Sequence, residues 1–252
     1  MPYSPAVDTK LRFEDNRLLA MFPEKVKEAL EPHAEHVYFE HGDVLFRSGE
    51  DIKYTYFPYA PTMISLLVDL DDRRRVEVAS IGMEGAIGGI VSCGELPAFS
   101  RAQVSVAGGA LKAPHEKIEE LKASSPFLTN LYCRYADYLL AQVMQSVACN
   151  AFHPIEARAA RWLLTAQDRS GSRLELTQEA LAGLLGVQRT TVNAVARELQ
   201  DDGLINYSRG VITLSDREEL EHRTCECYNQ VEQHFKRVLG GQAFNWIDHC
   251  EA

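Results

Sequence analysis

Hydrophobic positions along the chain change their spacing twice, and each change marks a change of element. Over residues 16–32 they fall at helical intervals, through Leu18, Met21, Phe22, Val26 and Leu30. From residue 37 onward the texture is one of short apolar runs, at 37–39, 44–46, 54–59, 63–70, 76–79, 102–106 and 110–112. Between them stand His41-Gly42-Asp43, Ser48-Gly49-Glu50 and a charged step at 71–74. Such residues favour turns, because glycine reaches positive φ and Asp or Ser side chains bond their own backbone. Gly82, Gly85, Gly88 and Gly89 cluster before the last two runs. Short strands at this regular spacing predict a roll or sandwich.

Beyond Pro114 the period lengthens again. Residues 127–150 contain no Gly or Pro and carry Leu128, Tyr132, Tyr135, Leu139, Val143 and Val147 at steps of three or four, which predicts one long helix with an apolar stripe. Tyr138, Leu140 and Met144 make its other faces apolar too. The helix is therefore expected to pack on the roll with one side and on a symmetry mate with another. His153-Pro154 should end it, since proline lacks the N–H that a helix interior needs. A further helix over 155–166 and a polar loop over 167–172 follow, and residues 216–239 read as one closing helix bearing Leu220, Cys227, Val231, Phe235 and Val238.

Residues 176–199 predict a helix, a tight turn and a second helix. Thr177 suits an N-cap, Leu181, Leu184 and Leu185 form a buried face, and Gly186 can supply the left-handed residue of a sharp turn. In the second helix, starting near Arg189, the stripe Val192, Val195, Ala196 and Leu199 turns Arg189, Thr190, Asn193 and Arg197 to the other side. Arg can bridge guanine O6 and N7 and Asn can bridge adenine N6 and N7, so this face has the chemistry of a major-groove reader. Asp201-Asp202-Gly203 should stop the helix, and strands at 204–207 and 211–214 around Ser208-Arg209-Gly210 make a wing that offers Arg209 to a phosphate.

Total charge stands against this, because 26 basic against 36 acidic residues leave the chain at -10, while duplex binding relies on cations. Division of the charge removes the conflict: residues 1–115 hold 12 basic and 17 acidic side chains, 151–215 hold seven of each, and 216–252 hold four and eight. The excess acid lies mainly outside the helix-turn-helix segment. A composition of 46% hydrophobic and 25% charged residues excludes disorder, collagen and a coiled-coil rod. With no run of 18 apolar residues and no basic and apolar leader, a cytoplasmic protein without membrane contact is expected. Six cysteines without a CxxC pair suggest reduced thiols. No P-loop, Gly-x-Ser-x-Gly or His-Glu-x-x-His motif is present, and the strands over 54–106 lack the histidines of a cupin-like enzyme, so no enzymatic activity is expected.

At this point the chain resembles the Crp/Fnr family of transcription regulators over about residues 20–215. Gly42-Asp43-Val44-Leu45-Phe46-Arg47-Ser48-Gly49-Glu50 is similar to the early turn-strand-turn signature of the family's roll, residues 127–150 resemble its dimerising helix, and residues 176–214 its winged helix-turn-helix. The resemblance implies an α+β chain: an N-terminal segment (1–20), an effector-sensing jelly-roll domain like those that bind cyclic nucleotides (21–115), a dimerisation helix (116–150), a winged helix-turn-helix DNA-binding domain (151–215) and a C-terminal helical extension (216–252). It also implies a homodimer on a palindromic operator, modulated by a signal at the roll and touching RNA polymerase if it activates. By the same likeness Arg189, Thr190, Asn193 and Ala194 face bases, Gln178, Thr191, Arg197 and Arg209 lie near phosphates, and Leu128, Tyr132, Tyr135, Leu139 and Val143 form the dimer contact. Members that read a well-known guanine-rich half-site carry Arg where Ala194 stands, so the operator should differ.

The resemblance places an effector pocket at Glu84, Gly85, Ala86, Ser100 and Arg101. Nucleotide-binding members use a Gly-Glu and an Arg-Ser pair where this chain has Gly85-Ala86 and Ser100-Arg101. Alanine cannot accept a ribose hydroxyl, and reversing the second pair moves the guanidinium to the other face of a strand. No cofactor is expected, and these residues argue against cyclic AMP. Oxygen-sensing members carry an N-terminal cysteine cluster, whereas no Cys precedes Cys93. No metal site is expected either: His33, His36 and His41 flank an ordinary turn, and His222, Cys225, Cys227, His249 and Cys250 lack zinc-type spacing. The competing reading is a small-molecule-binding roll whose winged domain mediates protein contacts.

Overall fold

The computed structural model describes residues 13–71, 74–90 and 97–240. Most of the N-terminal segment, the centre of the charged step at 71–74, residues 92–96 of the loop near the effector residues, and His249 and Cys250 lie outside the described residues. The helical stretch at 16–32 is divided into α1 (Arg17–Ala20) and α2 (Glu24–Leu30), because Pro23 cannot continue the first ladder. Asn16 anchors this start: its Oδ1 accepts from the Leu18 and Leu19 amides, and its Nδ2 donates to the Pro58 and Gly85 carbonyls.

Each apolar run in the next hundred residues holds a strand: β1 (Glu35–Phe39), β2 (Val44–Phe46), β3 (Tyr54–Pro58), β4 (Met63–Asp69), β5 (Arg75–Ile81), β6 (Arg101–Val106) and β7 (Gly108–Pro114). They form two antiparallel sheets, ordered β1-β7-β3 and β2-β6-β4-β5. Strand alternation turns Phe57, Ile64, Ile81, Val104 and Leu111 inward, where all are fully buried.

After α3 (His115–Ser124), the long helix α4 (Pro126–Phe152) runs for 27 residues. Ser125 caps it by accepting from the Leu128 amide. Two of its faces are occupied and a third is open. Leu128, Leu131, Tyr132 and Tyr135 are buried in the core of the roll. A second face carries α9 (Cys227–Val238), through an Asp137–His234 contact at 2.7 Å and a Tyr138–Phe235 ring pair 5.0 Å apart. Leu140, Met144 and Val147 form the third face and stay 55%, 58% and 64% exposed. Of the residues expected at a dimer contact, Leu128, Tyr132 and Tyr135 are buried inside their own chain and Leu139 and Val143 are half-buried beside them, while the exposed apolar stripe is the neighbouring one.

The predicted loop at 167–172 is mostly helix, since α5 (Ile155–Ser170) continues through it to bury Arg169. The wing gains an unexpected strand, β8 (Arg173–Glu175), in a sheet ordered β8-β10-β9 with β9 (Ile205–Ser208) and β10 (Val211–Leu214). The extension is also two helices rather than one. Its first, α8 (Arg217–Arg223), packs on α5 and buries Leu220 in the winged core, whereas α9 packs back on α4, so the chain must turn between them. The core around α5 thus runs on past residue 215 and takes in Leu220 and Tyr228.

Candidate nucleic-acid interface

The helix-turn-helix forms where its residues predict it. Thr177 caps α6 (Gln178–Leu185) by accepting from the Ala180 amide, and Gly186 ends it at φ 67°, a left-handed cap that costs glycine little. Helix α7 (Arg189–Asp201) buries Val192, Val195, Ala196 and Leu199 against α5 and α6. That packing leaves Arg189, Thr190, Asn193, Ala194 and Arg197 exposed on the opposite side. Thr191 is half-buried, with its amide on the Gln188 carbonyl at 3.0 Å. At the wing tip Arg209 is exposed and left-handed, at φ 52°, and Gly210 follows at φ 78°. Among the described residues Arg189, Arg197 and Arg209 have no acidic side chain within salt-bridge distance, so their charge is available to an anion.

Gln178 is placed differently from a plain phosphate contact. Its Nε2 donates to Asn193 Oδ1 at 3.0 Å and thereby sets the Asn193 amide across the two helices. With its Oδ1 so engaged, the exposed Asn193 keeps its NH2 as a donor, suited to an acceptor on a base edge. Tyr207 holds the wing to the same unit: its amide donates to Gln200 Oε1 at 2.8 Å and its hydroxyl to the Leu176 carbonyl at 3.2 Å.

The five effector candidates do not converge. Ala86 is fully buried, its amide donating to the Tyr135 hydroxyl at 2.9 Å while that hydroxyl donates to the Ala86 carbonyl at 2.8 Å. A Cβ on Gly85 would meet the same hydroxyl at 2.1 Å, so Tyr135 occupies the place beside this turn. Arg101 points outward and pairs with Asp69 at 3.0 Å, while Ala102 next to it enters the core. Ser100 precedes β6 and is half-buried.

Glu84 instead meets Arg169 of α5 at 2.9 Å, and both side chains are more than nine-tenths buried. The guanidinium also donates to Ser80 of β5 and to the Tyr138 hydroxyl of α4 at 3.1 Å. Burial by itself would lower its pKa, but Glu84 and then Tyr138 outweigh that and hold it above its ordinary value. Close by, the Trp162 indole donates to Glu77 at 3.0 Å, and the Ser65 hydroxyl bonds the same carboxylate. Burial pushes the Glu77 carboxyl up. Roll, long helix and winged unit therefore meet on one polar junction. Sequence reasoning missed Arg169 because its neighbours Gln167, Asp168 and Ser170 read as loop, although it continues the Trp162, Leu163 and Ala166 spacing.

Residues 157–223 match the family model of the Crp-like helix-turn-helix domain. The HTH-type transcriptional regulator Cmr of Mycobacterium tuberculosis (strain CDC 1551 / Oshkosh) is 26% identical over 152 residues, and this match spans 60% of the chain and 62% of that regulator's length. Among solved structures, a crp/fnr-family transcriptional regulator from Eubacterium rectale ATCC 33656 superposes with a TM-score of 0.63 at 17% identity, covering 84% of this chain and 97% of its own. FixK2 from Bradyrhizobium japonicum superposes with a TM-score of 0.65 at 15% identity, covering 76% and 98%. These structural likenesses speak for the fold, and the domain match speaks for the segment whose helices, glycine turn and wing are described above. Residues 157–223 are thus similar to the Crp-like helix-turn-helix domain, and the fold is the one seen in solved Crp/Fnr regulators.

Proposed function

We propose that the chain is a sequence-specific DNA-binding transcription regulator that reads its operator with α7. The observation that carries this reading is the exposed face of Arg189, Thr190, Asn193, Ala194 and Arg197, flanked by Arg209 on the wing and free of acidic pairing partners among the described residues. Arg189, Thr190, Asn193 and Ala194 would face bases, and Thr191, Arg197 and Arg209 would approach phosphates. Gln178 would act on phosphate and would also orient Asn193. Since few cations serve this face and the whole chain is acidic, non-specific binding should be weak and correct base contacts decisive.

The exposed stripe Leu140, Met144 and Val147, at steps of four and three, supports a homodimer paired along α4 and hence a palindromic operator. A signal received by the roll would reach α5 through Glu84 and Arg169, one of the contacts that join the two units. Contact with RNA polymerase, where the protein activates, and action in the cytoplasm belong to the same reading.

Selection of bound DNA from a random pool, followed by retardation of the selected duplex, tests it. Arg189→Ala should lower operator affinity and relax preference at one position in each half-site, while Arg209→Ala should weaken all sequences alike and reduce the salt slope by about one. Identical footprints from the wild type and Arg189→Ala would refute the assignment of the reading face.

A further inference from the structure

Four side chains that no part of the DNA-reading face uses converge at the joint between α4 and the C-terminal helices. Cys149 lies in the last turn of α4, and His153 follows its end. Cys225 and Cys227 bracket the turn from α8 into α9. Their ligand atoms all lie within 4.8 Å of one another. The sequence pairs neither set by motif, since 76 positions separate Cys149 from Cys225 and 74 separate His153 from Cys227. Sequence spacing gave no metal site, but tertiary packing brings Cys149 and His153 to Cys225 and Cys227.

We propose that Cys149, His153, Cys225 and Cys227 form a mononuclear zinc-type site that fastens the end of the long helix to the C-terminal extension. A tetrahedral ion with Zn–S of about 2.3 Å and Zn–N of about 2.0–2.1 Å needs S···S edges of about 3.8 Å and S···N edges of about 3.6 Å. Cys149 Sγ stands 3.6 Å from Cys225 Sγ, and Cys227 Sγ stands 3.3 Å from His153 Nδ1. The sulfur pair is far beyond the disulfide length of about 2.05 Å. The three thiols are buried and His153 is half-buried, so the set is enclosed yet small enough for one ion. Three thiolates and an imidazole favour zinc over calcium, magnesium or manganese, which prefer oxygen ligands.

The surroundings complete the site. With Nδ1 turned to the thiols, His153 presents Nε2 to Glu226 Oε1 at 3.4 Å, the carboxylate–histidine arrangement that fixes a ligating imidazole. Gln145 Nε2 donates to Cys227 Sγ at 3.0 Å. Arg158 and Arg161, on the first turns of α5, lie within electrostatic reach of Cys149 and offset the net negative charge of three thiolates around a divalent ion.

The position gives the site a consequence. His153 stands at the joint between α4 and α5, and Cys225 and Cys227 at the joint between α8, packed on α5, and α9, packed on α4. An ion there ties both joints and sets the angle of the winged unit on the long helix. Any effect of this on operator binding rests on the DNA-binding reading above, whereas the site itself does not.

The test uses the full chain, freed of metal under reducing conditions and titrated with zinc chloride or cobalt chloride alone. The expected results are about one equivalent of zinc retained per chain after dialysis, and a cobalt spectrum with tetrahedral d–d bands and thiolate-to-metal charge transfer. Cys227→Ser and His153→Gln should each weaken retention sharply, and Glu226→Ala should lower zinc affinity about 10- to 100-fold. An octahedral cobalt spectrum, loss of zinc on dialysis, or a Cys149–Cys225 disulfide in protein isolated under thiol-free conditions would overturn the proposal, and these wild-type measurements decide it even if a variant fails to fold. Retardation of the selected operator by metal-free and zinc-loaded chain is then compared, with a change of at least threefold expected. No retardation in either form, beside a normal cobalt spectrum, would sink the DNA-binding reading and leave the site standing.

Discussion

Replacing Arg169 with methionine would remove the guanidinium that joins three parts of the molecule. Its bonds to Glu84, Ser80 and Tyr138 are lost together, and the Glu84 carboxylate is left more than nine-tenths buried with, among the described residues, the Gly82 amide alone to satisfy it. Removing one partner of a buried pair costs about 3–5 kcal/mol, because desolvation of the survivor is no longer offset. Methionine restores some packing but no charge. With a slope of about 2–3 kcal/mol per molar urea, the midpoint of unfolding should fall by about 1–2 M. Arg169→Met with Glu84→Gln is the informative double variant: the glutamine keeps an acceptor for the Gly82 amide and carries no charge to strand. It should recover at least half of the loss, since a pair replaced by neutral groups is often tolerated. Urea denaturation of the wild type, both single variants and the double closes the cycle. A loss below about 1 kcal/mol for Arg169→Met, or a double variant as unstable as the sum of the singles, would refute the view that this pair holds the winged unit to the roll.

Three further outcomes are expected. Gly186→Ala places a Cβ at φ 67° and 3.2 Å from Val76 Cγ2, so it should cost about 1–2 kcal/mol in thermal denaturation and weaken the turn that aims α7. Glu77 is held up by burial, so it binds its proton more tightly when folded: its contribution is complete below the ordinary carboxylate range and is lost as pH rises through its raised value. Glu77→Gln, which keeps an acceptor for Trp162, should therefore gain in Tm relative to the wild type as pH rises, and a pH-independent difference would contradict the cause. Leu140→Glu with Met144→Glu puts charge on the exposed stripe of α4 and should yield monomers in sedimentation with little change in Tm; an unchanged dimer would move the interface elsewhere.

How much of this could be read beforehand depended on how local the cause was. The α7 stripe and its exposed face follow from a period of 3.6 within one helix, and the Gly186 turn from one residue's conformational freedom, so both stand where the spacing puts them. The strands of the roll were legible for the same reason. The single helix expected at 216–239 failed because its two halves serve different neighbours, and helical spacing continues across a break that only those neighbours impose. The stripe on α4 was visible, yet spacing alone does not say which apolar face meets its own roll and which is left over.

The sequence by itself determined the strands of the roll, the helix-turn-helix with the two strands of its wing, and the residues that face outward from α7, because these depend on neighbours within a turn or two. Tertiary structure alone decided that Tyr135 fills the place beside Gly85, that Arg169 is buried on Glu84, and that Cys149 and His153 meet Cys225 and Cys227. Each of those contacts joins residues more than 45 positions apart, and their cost or gain comes from desolvation and close packing that exist only once the units have docked.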